Sequence, residues 1–366
     1  VARGRPTVYD VAREAGVSIA SVSRYFSHPD ALSARTRDRV AGAVTDLGYV
    51  QNAAARGLAG GRNETIALCL PDFDAPEEPL DLSESDGTVQ VVRGESATAG
   101  SPSLFFNQVL SGLEVEARDR GLAVTVVIGR GADPSLDATL ERLVGRVDGV
   151  VAVAGSLTSP QIQMLSAQVP VVLIADAGAE PNVDHIRSDN VAGMQALVRH
   201  LLDEHGVRRP AFLAGPVDSP DSLIRFEAYR GVLEERGMTI PAEPLLVGDF
   251  TQPGGRRLGE RVLEARERGE TMPDALVCAN DQTALGVMGA LGNAGIRVPQ
   301  DVIVTGYDGT LLARHSHPSL TTVAQSMPTL GRAALVRLDA RMANRVRPGH
   351  DLTMPVRLVL GASCGC

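Results

Sequence analysis

The sequence predicts a small all-α head and, behind a short linker, an α/β core of two parallel-sheet lobes. Three observations carry this reading. Residues 1–50 hold three short amphipathic helical patterns, each opened by a hydroxyl side chain. From Thr65 onward, short runs rich in Val, Ile and Leu alternate with helical stretches. Roughly nine such units fill the next ~300 residues, more than one sheet holds comfortably, so two similar lobes with a cleft between them are expected.

In the head, residues 1–50, Thr7 is placed to cap the first helix, with Asp10 three residues on as in a capping box. Val8, Val11, Ala12 and Ala15 then share one face. Gly16 ends the helix, because it tolerates positive φ. Ser18 caps a second helix that runs to about Phe26, with Val22 facing inward. "HPD" breaks the chain. Ser33 caps a third helix, in which Val40, Val44 and Leu47 recur at helical spacing, and Gly48 stops it. The linker, residues 51–63, begins "QNAAARGLAGGR". Its Ala-rich part favours helix, but Gly57, Gly60 and Gly61 each cost roughly 0.5–1 kcal/mol relative to Ala. A helix that short and that rich in glycine is marginal alone and is expected only when held.

Residues 64–366 make the core. Its strand-like runs are "TIALCL", "LAVTVVIG", "GVVAVAG", "VPVVLIAD", "RPAFLAG", "EPLLVGD", "DALVCAN", "VIVTGYD" and "LTTVAQ". Helices are expected over 104–120, 191–204, 222–236, 255–268 and 282–294. Nearly continuous apolar runs indicate strands covered on both faces, hence mostly parallel sheets with crossover helices. Gly286, Gly289, Gly292 and Gly295 recur every third residue and point to close helix packing, not to a phosphate loop. Residues 72–103 do not fit the pattern. They hold eight acids and one Arg among Pro and Ser, the composition of a mobile, solvated acidic insertion. Within it "TVQVVRG" alternates like a short edge strand.

The formal charge of −9 is unevenly spread. Residues 1–62 carry nine Arg against five acids, and the remainder 26 Arg against 39 acids. A basic head on an acidic body points to an anionic partner for the head, most simply nucleic acid. No run approaches the ~18–20 apolar residues of a membrane span. "VARGRPT" lacks the apolar stretch of a secretory signal. Four scattered cysteines make no disulfide framework, so a reducing, cytoplasmic setting is expected. Cys364 and Cys366 in "SCGC" offer two thiols, too few by themselves to imply a metal. No metal or cofactor is expected.

Repeated β-α units also build enzymes, but the chain holds no strand-linked G-x-G-x-x-G, no P-loop and no H-E-x-x-H. A non-enzymatic role is therefore expected. A sugar-transport binding protein shares the core design, but it needs an export signal and has no use for a basic head.

Five blocks occur in order along the chain: "TVYDVAREAGVSIASVSRYFS", "TRDRVAGAVTDLGYVQNAAARGLAGG", "RFEAYRGVLEERG", "CANDQTALGVMGAL" and "VIVTGYD". Together they resemble the LacI/GalR family of bacterial transcription regulators over nearly the whole chain, residues 72–103 apart. The resemblance implies a helix-turn-helix head, a hinge helix and a core like periplasmic sugar-binding proteins. It also implies a homodimer on a pseudo-palindromic DNA operator, usually a repressor, controlled by a small effector such as a sugar in the cleft. No heptad tail follows "MPVRLVLGASCGC", so a dimer is expected over a tetramer.

In a helix-turn-helix the second helix lies in the major groove, its N-terminal residues at base edges. With Val22 in the core, the opposite face carries Ile19, Ala20, Ser23 and Arg24. By resemblance, Ile19 and Ala20 set operator preference and Arg24 reads a base. An Arg forked onto guanine O6 and N7 is worth ~1–3 kcal/mol of discrimination. Thr7, Tyr9, Ser18, Ser21, Tyr25, Arg35 and Asn52 are expected at the DNA backbone. The resemblance makes Leu58 the apolar wedge in the minor groove at the operator centre, in a hinge that folds only on DNA.

For the effector, the resemblance puts Arg225 of "IRFEAYRG" at the ligand and makes Phe105 and Phe106 an aromatic pair that offers a face to a sugar ring. Asn280 and Asp308 end predicted strands, where open α/β sheets bind ligands. Asp accepts, Arg donates and Asn does both, a set suited to hydroxyls. Asp281 and Asp189 precede helices and are expected as caps. Gly309 follows Asp308 where the family often has a second acid.

Overall fold

The computed structural model describes residues 6–49, 62–72, 104–129, 133–178, 180, 182–344 and 348–366. The linker with Asn52 and Leu58, and the acidic segment from residue 73 to 103, lie outside the described residues.

The head contains α1 (Val8–Ala15), α2 (Ile19–Ser27) and α3 (Ala34–Leu47). Its helix starts follow the sequence rules. The Thr7 N–H donates to Asp10 Oδ2 at 2.9 Å and the Asp10 N–H to Thr7 Oγ1 at 3.4 Å, a reciprocal capping box. Ser18 and Ser33 accept from the N–H groups of Ser21 and Thr36. Gly16 ends α1 at φ 60°, and a Cβ there would lie 2.5 Å from Arg39 Nη2. That nitrogen donates to the Gly16 carbonyl at 3.0 Å, which ties α3 to the turn. Val11, Val22 and Val40 are fully buried and share the head's core with Ala12, Ala15, Ala43 and Tyr49. Each of the three valines stabilises the head by roughly 1.5–3 kcal/mol.

The core chain runs β1 (Thr65–Leu70), α4 (Leu104–Asp119), β2 (Ala123–Ile128), α5 (Pro134–Leu143), β3 (Gly149–Val153), α6 (Ser159–Ser166), β4 (Val171–Ile174) and β5 (Asp184–Ser188). It continues through α7 (Asn190–Glu204), β6 (Pro210–Ala214), α8 (Pro220–Glu235), β7 (Leu246–Val247), α9 (Gln252–Glu267), β8 (Ala275–Cys278), α10 (Asp281–Asn293) and β9 (Ile303–Asp308). It closes with α11 (Leu311–His315), β10 (Thr321–Ala324), α12 (Met327–Ala343), β11 (Asp351–Met354) and β12 (Arg357–Val359). Two six-stranded sheets result, ordered β11-β5-β4-β3-β1-β2 and β12-β10-β9-β8-β6-β7. Among the described pairings only β10–β12 is antiparallel. The two parallel-sheet lobes read from the sequence are therefore present.

The chain passes between the sheets three times. It crosses after β5, after β10 (because α12 packs on the first sheet) and between β11 and β12. The crossings are bonded to one another. Ser188 Oγ donates to Gln325 Oε1 at 2.6 Å, and the Asp189 N–H donates to the Met354 carbonyl at 2.9 Å.

Each lobe contains a helix pair that meets backbone to backbone at glycines. A Cβ on Gly112 of α4 would lie 1.9 Å from the Pro328 carbonyl oxygen, and one on Gly331 of α12 would lie 2.1 Å from that of Val109. In the other lobe Gly255 of α9 and Gly286 of α10 approach Thr283 and Gln252 as closely. The glycine-spacing expectation thus holds at Gly286 only. Gly289 and Gly292 face open space, and Gly295 makes a turn at φ 73°. The partners of Gly286 are Gly255 and its neighbours on α9, which a period within one helix does not reveal.

Strand β5 is absent from the sequence reading because "DHIRS" is not an apolar run. Its buried polar side chains find partners elsewhere in the chain, although Asp184 Oδ2 has no hydrogen-bond partner among the described residues. Asp184 pairs with Arg341 at 3.0 Å, and the His185 ring lies 3.1 Å from Asp176 and 2.9 Å from the Glu180 carbonyl. Helix α12 was also not expected, although Met327, Leu330, Ala334, Leu335 and Leu338 form a regular buried stripe.

Candidate DNA-binding helix and effector site

On α2, Val22 is buried while Ile19, Ala20, Ser23 and Arg24 are exposed. Ile19 is 43% exposed. No acid pairs with Arg24 among the described residues. Tyr9, 66% exposed, presents its ring from α1. Ser18 and Ser21 differ from these. Their hydroxyls lie 3.0 Å apart and Ser18 also caps the helix. The Thr7 hydroxyl is held on both sides by the box, donating to Asp10 Oδ2 at 2.7 Å. Tyr25 is half-buried against Phe26, their rings 5.1 Å apart, and Arg35 is exposed. The helix N-terminus at Ser18 adds the partial positive charge of its free N–H groups.

In the core, the sequence-predicted Arg225 and Asp308 come together. Arg225 sits on α8 and is 2% exposed. Its Nε donates to Asn190 Oδ1 at 2.8 Å, Nη1 to the Ala279 carbonyl at 2.8 Å, and Nη2 to Asp221 Oδ2 at 3.2 Å. Its guanidinium lies 3.7 Å from the centre of the Tyr307 ring. Three of its five N–H groups are thus fixed, by acceptors on α7, just past the end of β8, and on α8 itself. Asp308 ends β9, and its Oδ1 stands 4.0 Å from Arg225 Nη1 and accepts from Gln325 Nε2 at 2.7 Å. Asp308 has φ 124°, a region that favours glycine and costs a side-chain residue about 1–3 kcal/mol. Strain of this kind persists where the surroundings over-determine it. At Gly309, φ is 72° and a Cβ would lie 2.4 Å from that of Ala324, so a second acid does not fit there.

The electrostatics follow from burial. Burial raises the Asp308 carboxyl to about 8, with Arg225 pulling it down and the nearby Asp281 charge pushing it up. Burial raises Asp281 to about 6, opposed by hydrogen bonds from the Thr322 hydroxyl and the Thr310 N–H. Asp221 is also raised by burial, against Arg225 and Asn190. One guanidinium therefore serves two buried acids, Asp221 and Asp308, and a protonated Asp308 can donate as well as accept.

Asn280, expected at the effector, also takes the capping role expected of Asp281. Its Oδ1 accepts from the Thr283 N–H at 2.9 Å, so it, not Asp281, caps α10. Its Nδ2 donates to the Phe250 carbonyl at 2.9 Å. Asp281 instead takes Thr322 Oγ1 at 2.6 Å and the Thr310 N–H at 2.7 Å, binding α10 to β10 and α11. Asp189 caps α7 as expected. Phe105 and Phe106 form an edge-to-face pair, centroids 5.4 Å apart, at the start of α4, and pack on the other lobe's core. Sequence reasoning missed Asn190, Asp221, Gln325 and Tyr307. Only Asp221 carried a signal, four residues before Arg225 on one helix face.

A three-helix head with an exposed reading helix, joined to two ligand-binding α/β lobes, defines a ligand-responsive DNA-binding regulator. Comparison with known proteins makes this specific. Residues 7–52 match the model of bacterial regulatory proteins, lacI family, and residues 198–364 a periplasmic binding protein-like domain. The transcriptional regulator CelR of Thermobifida fusca is 33% identical, over 98% of this chain and 96% of its own. Catabolite control protein A of Priestia megaterium is 27% identical over 96% and 97%. The lac repressor dimer bound to operator and an anti-inducer superposes with a TM-score of 0.78 at 25% identity, covering 99% of both chains. A CelR–cellobiose complex gives 0.66 at 29% identity over 98% of this chain and 100% of that one. The chain belongs to the LacI family of bacterial transcription regulators. No described helix is long and apolar enough to cross a membrane.

Proposed function

We propose that the chain is a cytoplasmic repressor that binds a pseudo-palindromic operator as a homodimer, and that a carbohydrate held by Arg225 and Asp308 controls it. The observation that carries the effector half is the Arg225 cluster. A charged side chain 2% exposed, held by three acceptors beside a strained acid, is built to present fixed donors and acceptors to a ligand. Hydroxyls suit that mixture. The relatives support the class. One is named a ribose operon repressor, and one solved relative holds cellobiose. On the DNA side, Thr7, Tyr9, Ser18, Ser21 and Asn52 face the backbone, Ile19, Ala20, Ser23 and Arg24 face bases, and Leu58 wedges the centre of the site.

Selection from random duplexes, followed by titration of the selected site with labelled DNA at fixed salt, tests both halves. The expected outcome is a site with a two-fold axis and a midpoint that shifts with one class of sugar but not in Arg225→Ala. Selected sites without a two-fold axis would reject the dimer reading. Midpoints unmoved by a panel of mono- and disaccharides would reject the carbohydrate. Leu58→Ala is expected to weaken specific binding far more than nonspecific binding.

A further inference from the structure

Four metal-binding side chains meet at one point outside the effector cluster. His200 lies on α7 and His205 caps its C-terminus, while Cys364 and Cys366 follow β12. One ligand atom from each lies within 4.8 Å of the others. His200 Nε2 is 3.1 Å from His205 Nε2, and 3.6 Å from each of Cys364 Sγ and Cys366 Sγ. Cys366 Sγ is 3.4 Å from His205 Nε2.

These separations can be compared with a tetrahedral ion. With Zn–N of about 2.05 Å and Zn–S of about 2.3 Å, tetrahedral geometry sets N···N near ~3.35 Å and N···S near ~3.55 Å. The one N···N and three N···S edges given above fall within about 0.25 Å of those values. The chain has no simpler reason to converge four such atoms. Gly365 stands at φ 102°, a conformation that turns both cysteines toward the same point. Cys364 is buried with Thr321 Oγ1 3.0 Å from its sulfur, which orients it, while Cys366 is exposed and gives an ion a way in. Residues 361–365 also spell G-x-S-x-G, but Ser363 is fully buried, accepting from the Thr321 N–H and donating to the Val304 carbonyl, so it is no nucleophile.

We propose that His200, His205, Cys364 and Cys366 form a structural Cys2His2 zinc site. Two imidazoles and two thiolates in a tetrahedron select zinc by ligand type and geometry, and all four protein ligands leave no open position for catalysis. The ion fastens the segment after β12 to α7, the helix whose first residue, Asn190, holds Arg225. The proposal is independent of the effector's identity.

The experiment uses the full chain purified in reducing buffer without a polyhistidine tag. Elemental analysis should find about one zinc per chain, and chelation should lower Tm by several degrees. Cobalt(II) in its place should give the visible bands and thiolate charge transfer of a tetrahedral S2N2 site. The double variant His205→Asn, Cys366→Ser should lose the zinc and the chelator effect while still binding DNA. Should that variant not fold, the cobalt spectrum of the wild type decides. Zinc below about 0.1 per chain with no cobalt spectrum on titration, or zinc retained by the folded double variant, overturns the assignment.

Discussion

Asp308→Asn tests whether burial or Arg225 governs the carboxyl at the centre of the proposed effector site. Asparagine keeps the shape and the oxygen that accepts from Gln325, but carries no charge at any pH. In the wild type, burial moves the carboxyl from 3.8 up to about 8. A carboxyl raised in the folded state keeps its proton where the unfolded chain has lost it. That contribution is full below the unfolded value and disappears as pH rises through the folded one. Between the two values, each pH unit removes up to about 1.4 kcal/mol from the wild type and nothing from the variant. From about pH 6 to about pH 8 the stability of Asp308→Asn should therefore gain about 1–3 kcal/mol on the wild type. Asp221 titrates in both proteins and largely cancels in the difference; Asp281, whose charge acts on Asp308, cancels only in part, which the width of the range covers. Urea unfolding of the DNA-free proteins at several pH values measures it, with equal m-values confirming that the same surface is exposed. Parallel stability curves would refute the reasoning, because they would mean that Arg225, 4.0 Å away, holds Asp308 ionised throughout.

Other substitutions probe the helix contacts, the reading helix and the guanidinium fork. Gly286→Ala places a Cβ 2.1 Å from the Gln252 carbonyl oxygen and should cost about 1–3 kcal/mol in urea unfolding, whereas Gly289→Ala, in open space, should be neutral or stabilise by up to ~1 kcal/mol. Arg24→Ala should lose about 1–3 kcal/mol of affinity for a selected site, and markedly less for random duplex of the same length, in anisotropy titrations at one salt concentration. Arg225→Lys keeps the charge but cannot reach Asn190, Ala279 and Asp221 with one nitrogen. It should fold and bind DNA while its effector affinity falls at least about tenfold by calorimetry.

The head was almost wholly legible in the sequence because its rules are local. Thr7, Ser18 and Ser33 cap helices within three residues, and Gly16 and Gly48 act at their own φ. The core was legible where strands are apolar, and illegible at β5, whose Asp184 finds its cation at Arg341, far along the chain. The effector cluster divides in the same way. Arg225 and Asp308 stood out through the family resemblance and the ends of strands. Gln325 and Asn190 did not, since their roles arise only when β10 and α7 are brought beside β9 and α8. The His200–His205–Cys364–Cys366 cluster is the extreme case. Two thiols in "SCGC" mean little until folding places two imidazoles against them from 160 residues away.

The same nonlocal contacts bear on how a ligand could act at a distance. Asp308 accepts from Gln325, which in turn accepts from Ser188, so the acid is one hydrogen bond from the second crossing and two from the first. Arg225 binds Asn190, the residue after Asp189, whose N–H is held by Met354 at the third crossing. Every connection between the lobes therefore meets the cluster directly or through one side chain. A ligand that competes with Gln325 for Asp308, or neutralises the acid, alters the bonds that fix how one lobe is tied to the other. It can shift that arrangement only by the difference in its affinity for the two states. A ligand bound solely within one lobe, touching neither Asp308 nor Arg225, lacks that handle. If Arg225 and Asp308 hold the effector as proposed, control depends less on how tightly it binds than on whether its hydroxyls reach these two side chains.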